Sequence, residues 1–188
     1  MRTRFKVQAG LALVLSAFQL SASALTLLPG APVLDTGLVT GIGFALLFPL
    51  FIATIAQGIA VTADLGAGAG QGWVQWLALR CLPRAVQACV ACLFAAGIAL
   101  LVIGGEGPRQ SGPVRDGRYY ALDTSPSHRG EVEVGRSEHE VLVRADQRFM
   151  FSITGLLAAG AGTLTLIHAV LGADGTAARS GPRRGRVA

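Results

Sequence analysis

The chain has 188 residues, of which 52% are apolar and only 14% charged, against roughly 25% charged in an average soluble domain. Four apolar blocks reach or exceed the roughly 18 residues that mark a membrane helix, which excludes an ordinary soluble globular domain. The formal charge is +5, but the basic excess lies at the two termini and in one short connector. Basic residues flanking apolar spans indicate membrane orientation, not a nucleic-acid-binding face.

Met1 to Lys6 carries Arg2, Arg4 and Lys6 with no acid. The first span, about 7–28, is apolar apart from Gln8, Gln19 and a few hydroxyls. A basic start before an apolar run also fits a secretory signal peptide, with Ala22-Ser23-Ala24 as a small-x-small cleavage pattern. The run continues through Leu27 and Leu28 to about the 20 residues a full span needs, which favours an uncleaved helix. Pro29 to Gly37 is a turn-like connector without Lys or Arg, as expected of an external loop.

The second span, about 38–62, has Pro49 in its middle. An internal Pro removes a helix hydrogen bond, and the expectation is a fixed kink. Gly37 and Gly41 form a GxxxG pair that lets backbones approach closely. In the connector that follows, Gly66, Gly68, Gly70 and Gly72 do not form a phosphate loop, because no Lys-Ser or Lys-Thr follows and no strand precedes. Trp73, Trp76, Leu77 and Arg80 predict a short amphipathic helix at the interface. Pro83 falls in the first turn of the third span, about 84–103.

The cysteines are Cys81, Cys89 and Cys92. The Cys89 to Cys92 spacing has neither a second such pair nor a nearby His, so it does not indicate zinc. With Ala88 and Ala96, Cys92 predicts a small-residue stripe packed on another helix.

Residues 104–148 are the only long polar stretch and hold 15 of the 27 charged residues. Gly104 to Gly117, rich in Gly, Pro and Arg, reads as an irregular linker. Arg118 to Asp123 and Gly130 to Gly135 predict a β-hairpin, with Val132 and Val134 alternating with Glu131 and Glu133. A lone hairpin is marginal in water and must lean on a neighbour. Ser137 with Glu140 three residues on is a capping box, so a helix should start there. No breaker intervenes before Phe149, where the fourth span, about 149–171, begins. One helix over Glu138 to Leu171 would be about 50 Å long and would exceed the bilayer core by roughly 20 Å. Gly155, Ala158, Ala159, Ala161 and Gly162 suit close packing. His168 near the far end has no Asp or Glu in any span to pair with and reads as an interfacial histidine. The segment 172–188 carries Arg179, Arg183, Arg184 and Arg186 and reads as a disordered basic tail against anionic headgroups.

Enzyme chemistry finds no support. His128 and His139 have no metal-ligand spacing around them, and Glu138, His139 and Glu140 are consecutive, so they diverge on a helix. No nucleophile motif is present. Catalytic, cofactor-binding and metal residues are therefore expected to be none. The mixed charges read as a solvated surface, with pairs such as Glu140 and Arg144 adding a few tenths of a kcal/mol.

Asp116-Gly117-Arg118-Tyr119-Tyr120, then Arg129-Gly130-Glu131-Val132-Glu133-Val134, then Ser137 to Glu140 and Gln147-Arg148-Phe149 resemble a pattern in uncharacterised small four-span membrane proteins of high-GC bacteria. There too the pattern leads into the last membrane helix. That resemblance covers about a third of the chain and implies a recurring folded element, with no activity attached.

The expectation is an all-α membrane protein of four transmembrane helices, with a small external β-hairpin and an extended fourth helix. It is a single membrane domain, multi-pass in the cell membrane, with both termini cytoplasmic. Nine Lys and Arg lie on the terminal side and seven on the other, so the side assignment rests more on the signal-like start and the uncharged first loop. The expected partners are the lipid bilayer and a protein partner or second copy, with no nucleic acid. The expected role is a non-enzymatic accessory or interaction protein; the other class is a small channel or transporter, for which Gln8, Gln19, Gln57 and Pro49 offer a thin polar path. In intact cells a membrane-impermeant thiol reagent should label Ser127→Cys and spare Ser180→Cys; the reverse pattern would invert the topology.

Overall fold

The computed structural model describes residues 3–28, 36–65, 72–104, 107–126 and 129–179. The elements in order are α1 (Thr3–Leu25), α2 (Thr36–Leu65), α3 (Gly72–Arg80), α4 (Arg84–Gly104), β1 (Arg109–Arg115), β2 (Arg118–Asp123), β3 (Gly130–Val134) and α5 (Arg136–Arg179). Helices α1, α2, α4 and α5 are each long and apolar enough to cross a membrane. Pro29 to Asp35, the glycines at 66, 68 and 70, Ser127, His128 and residues 180–188 lie outside the described residues.

Helix α5 is the axis on which the other elements pack. Ala158 and Ala159 are fully buried in it. Helix α1 runs antiparallel along one side. Ser23 meets Ser152 at one end, Leu20 lies over Gly155, and Leu13 lies over Gly162. Helix α4 is also antiparallel, with Leu156 over Gly97 and Arg148 beside Gly104. Helix α2 runs parallel to α5, pairing Thr54 with Thr165, Gly58 with His168 and Val61 with Gly172. The expectation that 155–162 packs closely is met, because these small side chains let α1 and α4 settle onto the backbone of α5.

Two expected seams lie elsewhere. Gly41 has nothing within 4 Å of a Cβ built on it, whereas Gly43 abuts the Gln19 amide. The GxxxG pair of Gly37 and Gly41 is therefore not the contact between helices of this chain. On α4 the buried residues are Val90, Gly97, Leu100 and Gly104. At about 100° per residue, Ala88 and Cys92 fall on the opposite side and Ala96 on the flank, and Cys89 and Cys92 are exposed. Two larger residues and two glycines line the buried face of α4, and the cysteine stripe faces away from it.

The polar stretch also differs from expectation. It holds a three-stranded antiparallel sheet in the order β1-β2-β3, and the segment read as a linker supplies β1. The reason is Asp116-Gly117, which connects Arg115 to its partner Arg118. Both turn residues have positive φ, 52° and 76°, the type I′ geometry that matches strand twist and favours Asp-Gly. Gly112 and Pro113 sit where the register shifts between Ser111 and Val114, a bulge that accommodates a residue unable to donate to the ladder.

Helix α5 begins earlier and ends later than the capping box and basic tail predict. The His139 N–H bonds the Gly135 carbonyl at 2.9 Å, so Ser137 lies inside the first turn and not at its cap. Glu140 accordingly pairs back to Arg136 at 3.1 Å, one turn before it. Residues 172–179, expected in a disordered tail, continue the helix. With 44 residues α5 is about 66 Å long. Pro83 likewise precedes its helix: its carbonyl accepts from the Val86 and Gln87 N–H groups, and α4 starts at Arg84.

A Cβ at Gly112 would lie 2.8 Å from the Tyr120 carbonyl oxygen, backbone that cannot swing aside. Gly112→Ala should therefore cost about 1–3 kcal/mol, read as faster amide exchange across β1 and β2 while the helices keep their protection.

Candidate interaction surface and interior polar seam

The sheet stands on the first turns of α5, and three contacts fix it there. The Ser111 N–H and hydroxyl both donate to one Asp146 carboxylate oxygen, at 2.7 and 2.5 Å. Hydrogen bonds to a charged acceptor contribute about 1.5–3 kcal/mol, so this is the strongest single tie. His139 Nδ1 lies 3.2 Å from the Tyr120 carbonyl oxygen, within reach to donate to it, and its ring sits 5.2 Å from that of Tyr119. Arg109 bridges Asp123 at 3.3 Å and Glu138 at 3.1 Å. Beneath them Ala121 is wholly buried. The predicted hairpin thus leans on the helix that follows it, with a third strand added.

Glu138, His139 and Glu140 point to Arg109, Tyr120 and Arg136 respectively, the divergence expected of consecutive helical residues. Among the described residues no group of three His, Cys, Asp or Glu could hold a metal ion.

Strands β1 and β3 are both edges of the sheet, but β1 is tied to α5 through Asp146, whereas β3 has four of its five residues exposed. One row of its backbone donors and acceptors therefore lies outside the sheet's own ladder. Its acids are neutralised within the sheet: Glu131 takes a two-pronged bond from Arg115 at 3.0 and 3.2 Å, and Glu133 pairs with Arg118 at 3.5 Å. Such exposed pairs are worth about 0.2–1 kcal/mol each, so they shape the surface more than they hold it.

A second polar region lies inside the bundle. The Gln8 amide donates to the Leu50 carbonyl and the Thr54 hydroxyl at 3.3 and 3.2 Å, and its own oxygen accepts from the Gln57 amide. Thr54 and Thr165 hydroxyls meet at 3.0 Å, and one turn on, His168 lies against Gly58. Gln57 Oε1 and His168 Nδ1 are buried with no hydrogen-bond partner. Gln19 is thus inside the bundle, 1% exposed, and the half-buried Gln8 and Gln57 face each other. The signal for this was present in the chain, since Gln8, Ala12, Ser16, Gln19 and Ser23 recur every three or four residues on one face of α1. The Asp146 anchor carried no such signal, because its partner Ser111 is 35 residues away.

At the rim between bundle and sheet, the Arg148 guanidinium donates to the Thr26 hydroxyl at 3.1 Å and the Ile103 carbonyl at 3.4 Å, and its own carbonyl accepts from Ser23. On the far side, the expected short helix is present as α3, and Arg80 stacks over the Trp76 ring at 5.1 Å.

The Asp123 carboxyl is held below its ordinary 3.8 by the Ser125 hydroxyl and N–H and then by Arg109. The folded state therefore binds this proton less readily than the unfolded chain. Its stabilising contribution is complete above pH 3.8 and is lost as pH falls from there through the folded value. Protection of the sheet amides should hold from neutral pH to about 4 and decline below it. Asp123→Asn should remove that part of the decline. No protein-family model matches the chain, and neither a curated protein nor a solved structure matches it.

Proposed function

We propose that this chain is a multi-pass protein of the cell membrane, with both termini cytoplasmic, acting as a non-enzymatic accessory or interaction protein. Its partner contacts the external sheet. The observation that carries the reading is the contrast within that sheet. Strands β1 and β2 are bolted to α5 through Asp146, His139 and Glu138, while β3 keeps an open, exposed edge. An extended segment adding to such an edge gains backbone hydrogen bonds without remodelling the scaffold. Because α5 is continuous, binding there bears directly on the packing of the bundle. The burial of Ser16, Gln19 and Ser23 in α1 supports reading that helix as a span of the bundle.

The second reading is a small channel or transporter, favoured by the interior run of Gln8, Gln57, Thr54, Thr165 and His168. Polar groups facing the inside of a bundle can mark an ion or proton path.

A photo-reactive residue in place of Glu133 should give a defined adduct in native membranes, and the same residue in place of Ile98, exposed on α4, should not. Recovery of the chain always alone and monomeric would overturn the accessory reading. Flux through liposomes holding the purified protein under an ion or proton gradient would establish the second reading in its place.

A further inference from the structure

Helices α1 and α2 each pack on α5, and between them they leave a groove of about 600 Å³. Its walls are Val7, Leu11 and Leu15 from α1 and Leu46, Pro49 and Ala53 from α2. Val7, Leu11 and Leu46 are more than half exposed, so the groove opens sideways, away from the bundle. Gln8 also lines it, but its amide is fully engaged with Leu50, Thr54 and Gln57. It therefore turns only its stem to the groove, and the walls offer an occupant no hydrogen bonds along their length. Polar and charged groups appear at one end alone, where Thr3 and Arg4 close the lining. The Arg4 guanidinium lies over the Phe5 ring, and α1 contains no acid to pair with it.

This distribution suits a long apolar chain with an anionic head. From Thr3 to Leu15 the groove extends about 18 Å along the helix, close to the roughly 15 Å depth of one leaflet's hydrocarbon. Its volume falls within the range of about 300–1,000 Å³ seen for specific ligand sites. We propose that the α1–α2 groove binds one anionic phospholipid of the leaflet on the N-terminal side, with an acyl chain along Val7 to Leu15 and the phosphate on Arg4. The proposal rests on the membrane reading above and goes beyond it by naming a ligand and a site.

Purified full-length protein in mixed micelles would be offered phosphatidylglycerol and phosphatidylcholine of identical acyl chains, and the retained lipid counted by native mass spectrometry. The wild type should retain one phosphatidylglycerol in preference to phosphatidylcholine by about fivefold, the ratio expected for one basic group at an anionic headgroup. Arg4→Gln should abolish the preference. Lys6→Gln, which removes the same charge outside the groove lining, should preserve it. Ala53→Phe, which narrows the groove, should lower retention of both lipids. Equal retention of the two lipids by the wild type would overturn the site, and so would equal loss of preference in Arg4→Gln and Lys6→Gln. Alkaline carbonate extraction of cell membranes separates the two claims. Release of the chain would overturn the membrane reading itself, whereas retention without lipid preference would overturn the site alone.

Discussion

Close approach to the backbone of α5 is the constraint from which the rest of the structure follows. A methyl at Gly155 would meet Leu20 at 2.8 Å, and one at Gly97 would meet Leu156 at 2.5 Å. Where side chains are missing, neighbouring helices come close enough for dispersion and short polar contacts to add up. Helices α1, α2 and α4 therefore pack chiefly on α5 and only slightly on one another. The groove between α1 and α2 is a direct result, since two helices drawn to a third need not close on each other.

The same helix carries the sheet. Asp146 holds Ser111 nearly three turns beyond the start of α5, and Phe149, about one turn further on, already stands at the mouth of the bundle beside Gly104. No flexible joint separates these positions. A displacement of the sheet must be taken up either by bending α5 or by shifting the glycine seams below it. Interfaces packed this tightly resist graded deformation, so the sheet and bundle behave as one body.

Pairing matters more for polar groups inside the bundle than for those on the sheet. An unpaired amide in an apolar surrounding costs several kcal/mol, and Gln8 meets that demand by bonding across to α2 with both its amide nitrogen and its oxygen. The Thr54–Thr165 and Ser23–Ser152 pairs do the same between α5 and its neighbours. These bonds fix which faces of α1 and α2 turn inward, where a purely apolar face would leave rotation about the helix axis poorly defined.

Much of this was legible in the chain alone. The four long helices follow from block length and apolar content, and the unbroken run into the last helix follows from the lack of a breaker between Ser137 and Phe149. Asp116-Gly117 was a readable turn, but the Gly, Pro and Arg content around it suggested a linker and concealed β1. Local composition cannot reveal that Gly112 and Pro113 occupy a bulge, because a bulge is defined by the partner strand. What the amino-acid order determined by itself was set by neighbours a few residues apart: the presence of four long apolar helices and the unbroken run into the last of them. Only the tertiary structure decided which face of each helix turns inward. Ala88, Cys92 and Ala96 look like a packing stripe in isolation, yet α5 is met by Gly97 and Gly104, because the winning seam depends on the shape of the surface opposite. Ser111 finding Asp146 is the same kind of fact, a bond between residues that only the folding of the sheet onto α5 brings together.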